Sequence, residues 1–249
     1  MSTTIEDTTT AGIVTARPRQ GGLIAGALAA LAVTLTAVQV LATHIIPPLA
    51  AFAVVFTLLA VLIARRPTRW VLIVVGLAVA IYLAGSVPFV VANLAHPESP
   101  VSFLAEAFVV IGSAVALIGV VGELRGSLTA TRRRYIVLGG LGLAGVAIAT
   151  TIVASAAVDS APRGGDDIAI ETSRSMFPSD VEVPTGPTTL WFDNQDPFHH
   201  TVVIDGTGIR EVLPASNGVR VDVDLAPGTY RYWCDVPGHE TMEGTLHVG

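Results

Sequence analysis

The chain has no lysine, a single cysteine and few charges of any kind: 14% of its 249 residues are charged and 51% are hydrophobic. That balance excludes one ordinary soluble domain, in which about a quarter of the residues carry charge. With Cys234 alone, no intrachain disulfide can form. A phosphate-binding glycine loop, a Ser-His-Asp arrangement and paired catalytic carboxylates are also missing, so nothing marks a nucleotide-dependent or hydrolytic enzyme. No apolar run long enough to span a bilayer follows Val158.

Before Val158 such runs dominate. A spanning helix needs about 20 mostly apolar residues, and five segments qualify: 23–46, 48–64, 70–92, 103–122 and 135–158. The first is longer than the apolar region of a cleaved leader, and the THIIPP after it offers no small-residue cleavage site, so it reads as a retained span. All basic residues are arginines, and they cluster. Arg17 and Arg19 precede the first span, Arg65, Arg66 and Arg69 fill the second connection, and Arg125 with Arg132, Arg133 and Arg134 fill the fourth. Lys/Arg-rich short loops stay cytoplasmic. All three clusters therefore fit one topology, with residues 1–22 as a cytoplasmic tail, 23–158 as the membrane region and the C-terminal part outside the cytoplasm. Small residues at helical spacing, Gly112, Ala116 and Gly119 in one span and Gly140, Ala144 and Gly145 in another, are expected to let helices approach closely.

From Ser160 the texture changes. Residues 159–167 form a polar linker, and residues 168–249 alternate with period two between turn-forming separators: PTGP, DNQDP, DGTG, LPASNG and LAPG. Strands are expected at 168–172, 181–183, 188–192, 201–204, 219–223, 229–234 and 245–248. Seven short strands with regular turn signals imply an all-β Greek-key sandwich after the membrane helical bundle. Residues 160–249 hold fourteen acids against five arginines, which argues against nucleic acid and suits partners with basic docking surfaces.

The stretch YWCDVPGHETMEG surrounds the lone cysteine. A lone thiol outside the cytoplasm is buried, reactive or a ligand. Here His239 follows Cys234 by five residues and Met242 follows His239 by three, with Pro237-Gly238 forcing a turn that folds the donors together. A second imidazole is available from His199 or His200 at the start of a strand. Neighbours on a strand point to opposite faces, so one of the two reaches such a centre. His200 shares its face with Val202 and Ile204, while His199 is expected to lie exposed beside the site. Two His, one Cys and a weak axial Met form the blue-copper donor set. Zinc suits it less, since a thioether is foreign to its usual ligands.

These segments, FPSDVEVPTG, NQDPFHHTVV, DLAPGTYRYWC and C-x4-H-x2-M-x-G-T-L, resemble the cupredoxins of the plastocyanin/azurin type. The resemblance implies a cupredoxin-like fold and one type 1 copper. It makes His200, Cys234, His239 and Met242 the ligands. Two residues separate His239 from Met242, where such proteins commonly have three or four. The function it implies is single-electron transfer between redox partner proteins at the outer face of the membrane, by a carrier rather than an enzyme. Copper capture, transfer or sensing is the alternative, and a quinol-linked redox role for the membrane region is a third. Trp191, Trp233 and Tyr232 are expected as core aromatics near the copper, and His247 has no partner in view. In the membrane part His44, His96 and Glu106 stand near the outer ends of three spans and could form a further site, ionisable groups in spans being functional candidates.

Overall fold

The computed structural model describes residues 21–43 and 45–249. Five helices come first: α1 (Gly22–Leu41), α2 (Pro47–Arg65), α3 (Arg69–Leu94), α4 (Pro100–Leu124) and α5 (Ala130–Ala156). Each is long and apolar enough to cross a bilayer. Their starts follow local chemistry. The Thr68 hydroxyl accepts from Val71 N at 3.4 Å and the Thr129 hydroxyl from Arg132 N at 3.2 Å, capping α3 and α5. Prolines occupy the first turns of α2 and α4, where their missing N–H costs nothing. The first span stops earlier than the apolar run suggests. The chain turns at Ala42–Thr43, with Thr43 at a φ of 59°, and Pro47 then begins α2.

The helices pack α1 on α2 and α4, α3 on α4, and α5 on α4. A Cβ at Gly112 would sit 3.0 Å from Leu31, and one at Gly119 would sit 2.8 Å from Ile24, so both glycines permit the α1–α4 approach. Gly140 does the same for α5 against Val115, whereas Gly145 faces open space and serves no such contact. At one end of the bundle Glu123 accepts from Arg133 at 2.6 Å and from Gly21 N at 3.3 Å, tying α4, α5 and the start of α1 together. Gly21 also lies beside Ile63 and Pro67, so the start of α1 and the two arginine-bearing connections, α2–α3 and α4–α5, gather at this end.

Eight strands follow: β1 (Ile168–Thr172), β2 (Asp180–Val183), β3 (Gly186–Asn194), β4 (His200–Ile204), β5 (Ile209–Leu213), β6 (Gly218–Leu225), β7 (Gly228–Trp233) and β8 (Glu243–Val248). They form a three-stranded sheet, β1-β3-β6, and a five-stranded sheet, β2-β8-β7-β4-β5. Ile170, Leu190, Phe192, Val221 and Val223 from the first sheet meet Val202, Ile204, Tyr232, Leu246 and Val248 from the second. β5 lies beyond the seven strands expected. It is an edge strand, and Arg210 and Glu211 break its apolar alternation.

Tyr232 is fully buried between Phe177 and Phe192, its hydroxyl donating to Pro178 O at 2.6 Å. Trp191 and Trp233 are only half-buried, contrary to expectation. Their indole N–H groups reach Ala161 O and Asp205 Oδ1, and the Arg231 guanidinium lies over Trp233.

The sandwich sits on the bundle end opposite the arginines. Ser99, ahead of α4, is fully buried and its hydroxyl accepts from Ala215 N at 3.1 Å. The His96 ring lies 4.6 Å from that of His199, and a Cβ at Gly238 would be 3.1 Å from Phe89 of α3. The connection from α5 is fastened too. Ala161 N donates to Gly218 O at 2.9 Å, and Gly218 N donates to Ser160 Oγ at 2.9 Å.

Candidate metal centre

Two antiparallel ladders bring the donor residues together at one end of the five-stranded sheet. In β4–β7, Val203 lies opposite Trp233 and Ile204 opposite Tyr232. Continued outward, this register sets Thr201 across from Asp235. Asp235 N donates to Thr201 Oγ1 at 2.9 Å, and that hydroxyl lies 2.7 Å from Asp235 Oδ1. In β7–β8, Trp233 lies opposite Glu243, and the next pair continues it, with Cys234 N donating to Met242 O at 2.9 Å. The intervening loop is a tight double turn: His239 N donates to Val236 O at 3.0 Å and Met242 N to His239 O at 2.8 Å. Gly238 at its apex has a φ of 87°, which a residue with a Cβ rarely adopts. Because that turn is so short, Met242 is fully buried in the same core as Cys234 despite the two-residue spacing.

One ligand atom each from His200, Cys234 and His239 falls within 4.8 Å of the others. The two Nδ1 atoms are 3.1 Å apart, and Cys234 Sγ is 3.6 Å from His239 Nδ1. Two imidazole lone pairs would repel at that distance, so the arrangement calls for a proton or a cation between them. His200 is fully buried, and its Nε2 contacts Asp196 Oδ2 at 2.9 Å. A carboxylate only accepts, so Nε2 carries the hydrogen and Nδ1 is left to face the cluster. Asp196 is fixed in turn by Arg174 N and Ser175 N at 2.7 and 2.8 Å, while its own N donates to Asn194 Oδ1 at 3.0 Å.

The electrostatics suit a cation. Burial pushes the Cys234 thiol up, but hydrogen bonds from His200, His239 and Thr201 outweigh it and bring the group down to about 5, so it is a thiolate at neutral pH. Thr201 N donates to the sulfur at 3.4 Å. Burial alone would depress His200, yet Asp196 and the Cys234 sulfur hold it above the usual imidazole range. One soft thiolate and two imidazoles make a donor set for a single transition-metal ion, and the Met242 side chain is buried in the same core.

His199 is not exposed beside the site. It is 2% exposed, lies under the His96 ring, and has no partner at Nδ1. Burial, reinforced by His96, His200, His239 and Arg210, brings it down to about 3. His247 does have a partner, Asp180 across the β2–β8 ladder, at 2.9 Å. Of the membrane residues, His44 lies outside the described residues. His96 pairs with Glu98 at 2.8 Å, and Glu106 is reached by Asn93 at 3.5 Å. No hydrogen bond joins His96 to Glu106. Sequence reasoning did not single out Asp196, Asn194, Thr201, Asp235 or Arg210. The Asn and Asp of the turn before the paired histidines were the available signal for the first two.

Residues 143–248 match the family model of the cupredoxin-like domain, the match beginning inside α5. No curated protein matches the chain. Among solved structures, auracyanin B is 22% identical over 37% of this chain and 93% of its own, with a TM-score of 0.31. A reduced amicyanin variant is 17% identical over 35% of this chain and 86% of its own, at 0.31. The metal-binding domain of the Streptococcus pneumoniae Cu(I)-exporting P-type ATPase is 17% identical over 37% and 94%, at 0.30. The sandwich that brings His200, Cys234 and His239 together belongs to the cupredoxin-like domains, and in this chain it follows five apolar helices.

Proposed function

We propose that the chain is a membrane-anchored type 1 copper protein that carries single electrons between redox partners on the extracytoplasmic side. The observation that carries this reading is the convergence of one thiolate and two imidazoles within 4.8 Å at the closed end of a sandwich. Bound copper would supply a one-electron Cu(II)/Cu(I) couple. His200 and His239 would hold it through nitrogen and Cys234 through sulfur, and Met242 would add its thioether. Asp196 fixes the His200 ring, and the Thr201 N–H bonds the sulfur. His200, Cys234 and Met242 are all buried, so water is kept from three donors and the half-exposed His239 is left as the edge.

The arginine-bearing connections lie at the bundle end away from the β domain, and the positive-inside tendency puts that end in the cytoplasm. The acid excess of residues 160–249 suits a donor or acceptor with a basic face.

The test is to load the full chain in detergent with Cu(II) and record its visible and EPR spectra before and after reduction. An intense thiolate-to-copper band with narrow hyperfine splitting, lost on reduction and restored on reoxidation with the metal retained, is the expected result. Release of the metal on reduction would replace electron transfer by copper capture and delivery. A pale, ordinary Cu(II) spectrum would refute the trigonal site.

A further inference from the structure

The Thr201 hydroxyl has one proton and two acceptors in reach: Asp235 Oδ1 at 2.7 Å and Cys234 Sγ at 3.5 Å. One of its lone pairs accepts from Asp235 N at 2.9 Å, which anchors the oxygen without deciding where the proton points. The shorter distance and the negative charge favour the carboxylate. Arg210 keeps that carboxylate in place through a two-point contact, Nε to Oδ2 at 2.7 Å and Nη2 to Oδ1 at 3.0 Å. Arg210 is 53% exposed, so the pair adds little stability by itself. Its effect is positional.

We propose that Asp235, braced by Arg210, holds the Thr201 hydroxyl proton away from the Cys234 sulfur, leaving the sulfur the Thr201 backbone N–H as its donor from that residue. Asp235 is thus a positioning residue for the copper couple, an inference that rests on the copper reading above. A hydrogen bond to the sulfur draws charge away from the metal and favours the reduced state, in which the sulfur bears more negative charge. Withholding one keeps the couple lower and the thiolate-to-copper transition at longer wavelength.

The experiment compares the copper-loaded full chain with Asp235→Ala, Thr201→Val and the double variant, reading the charge-transfer wavelength and the Cu(I)/Cu(II) equilibrium against a reference couple. Asp235→Ala frees the proton for the sulfur. The band should move to shorter wavelength and the equilibrium should shift about tenfold toward Cu(I), about 59 mV for one electron. Thr201→Val keeps the backbone N–H on the sulfur and removes a hydroxyl whose proton the proposal assigns to Asp235, so the shift it causes should be much smaller than that of Asp235→Ala.

Removing Asp235 also removes a negative charge, and the double variant separates that effect. If the hydroxyl carries the shift, most of it disappears when Val replaces Thr201. An equal shift in both backgrounds would overturn the proposal, and so would a large shift from Thr201→Val alone. Should Thr201→Val fail to fold, resonance Raman of Asp235→Ala decides. A larger deuterium-induced change in the Cu–S stretch than in wild type supports the added O–H donor, and an unchanged one overturns it. Absence of the charge-transfer band in wild type would defeat the copper reading and the inference with it. A normal wild-type band with an unmoved Asp235→Ala variant would defeat the inference alone.

Discussion

Replacing Asp196 separates the orientation of His200 from the presence of its ring. Three groups converge on this carboxylate: Arg174 N on Oδ1, and Ser175 N and His200 Nε2 on Oδ2. In Asp196→Asn the amide NH2 must take one oxygen's place. At Oδ2 it would face two donors and drive His200 to the other tautomer, with hydrogen on the very nitrogen aimed at the cluster. At Oδ1 it opposes Arg174 N alone, so the amide should settle there. The Arg174 N–H, in a part-buried bond, loses its acceptor, which costs at most about 1–3 kcal/mol of stability, while His200 keeps a neutral acceptor in place of a charged one. Loss of such a supporting bond costs about 10–100-fold in metal affinity, or about 1.4–2.7 kcal/mol. We expect Asp196→Asn near the lower figure. Asp196→Ala abandons all three groups and should fall at or beyond the upper one. Competition with a calibrated copper chelator, on full-length protein in detergent, measures both. An Asp196→Ala protein that bound copper as tightly as wild type would refute the claim that this carboxylate presents His200.

Three further outcomes are expected. Gly244→Ala would place a methyl group against Pro178 O and the Tyr232 ring, 2.7 Å away. Overpacking of this kind costs about 1–3 kcal/mol, or roughly 4–8 °C in Tm per kcal/mol for a domain of this size, so an unchanged melting curve would contradict the packing described. His96→Ala uncovers His199 and removes a ring pair worth about 0.5–1.5 kcal/mol. The slow deuterium exchange at the His199 ring carbon, read by mass spectrometry, should accelerate several-fold, and an unaltered rate would mean that the two domains do not meet there. The hydrogen bond from His247 holds the Asp180 carboxyl below its usual range. His247→Ala should therefore raise its NMR titration midpoint toward about 3.9, and a midpoint that stayed put would assign the depression to another group.

The amount legible from sequence differed by element for physical reasons. The five helices announced themselves because a bilayer demands about 20 apolar residues in a row. Which helices touch did not, since every face of such a helix is apolar, and Gly145 looked as fit for packing as Gly112. Strand parity favoured His200 over His199, and the structure puts His200 in the cluster. Parity said nothing of His199, which is buried by a loop more than 100 residues earlier in the chain. β5 escaped because an edge strand needs only one apolar face and carries charge on the other. Asp196 and Asp235 looked like ordinary turn and loop acids. Their roles arise from register and loop folding, which place a carboxylate beside an imidazole and a hydroxyl without any local signature.

The seating of the sandwich on the bundle has a kinetic consequence. A domain on a free polar linker would swivel, and its half-exposed His239 would sample all directions within the time of a loop motion. Here the Ser160–Ala161 strap is bonded to Gly218, Ser99 holds Ala215, and His96 lies on His199. That combination is a latch rather than a swivel. A molecule arriving from the water therefore meets the half-exposed His239 in one fixed orientation, and its productive encounters are confined to that approach.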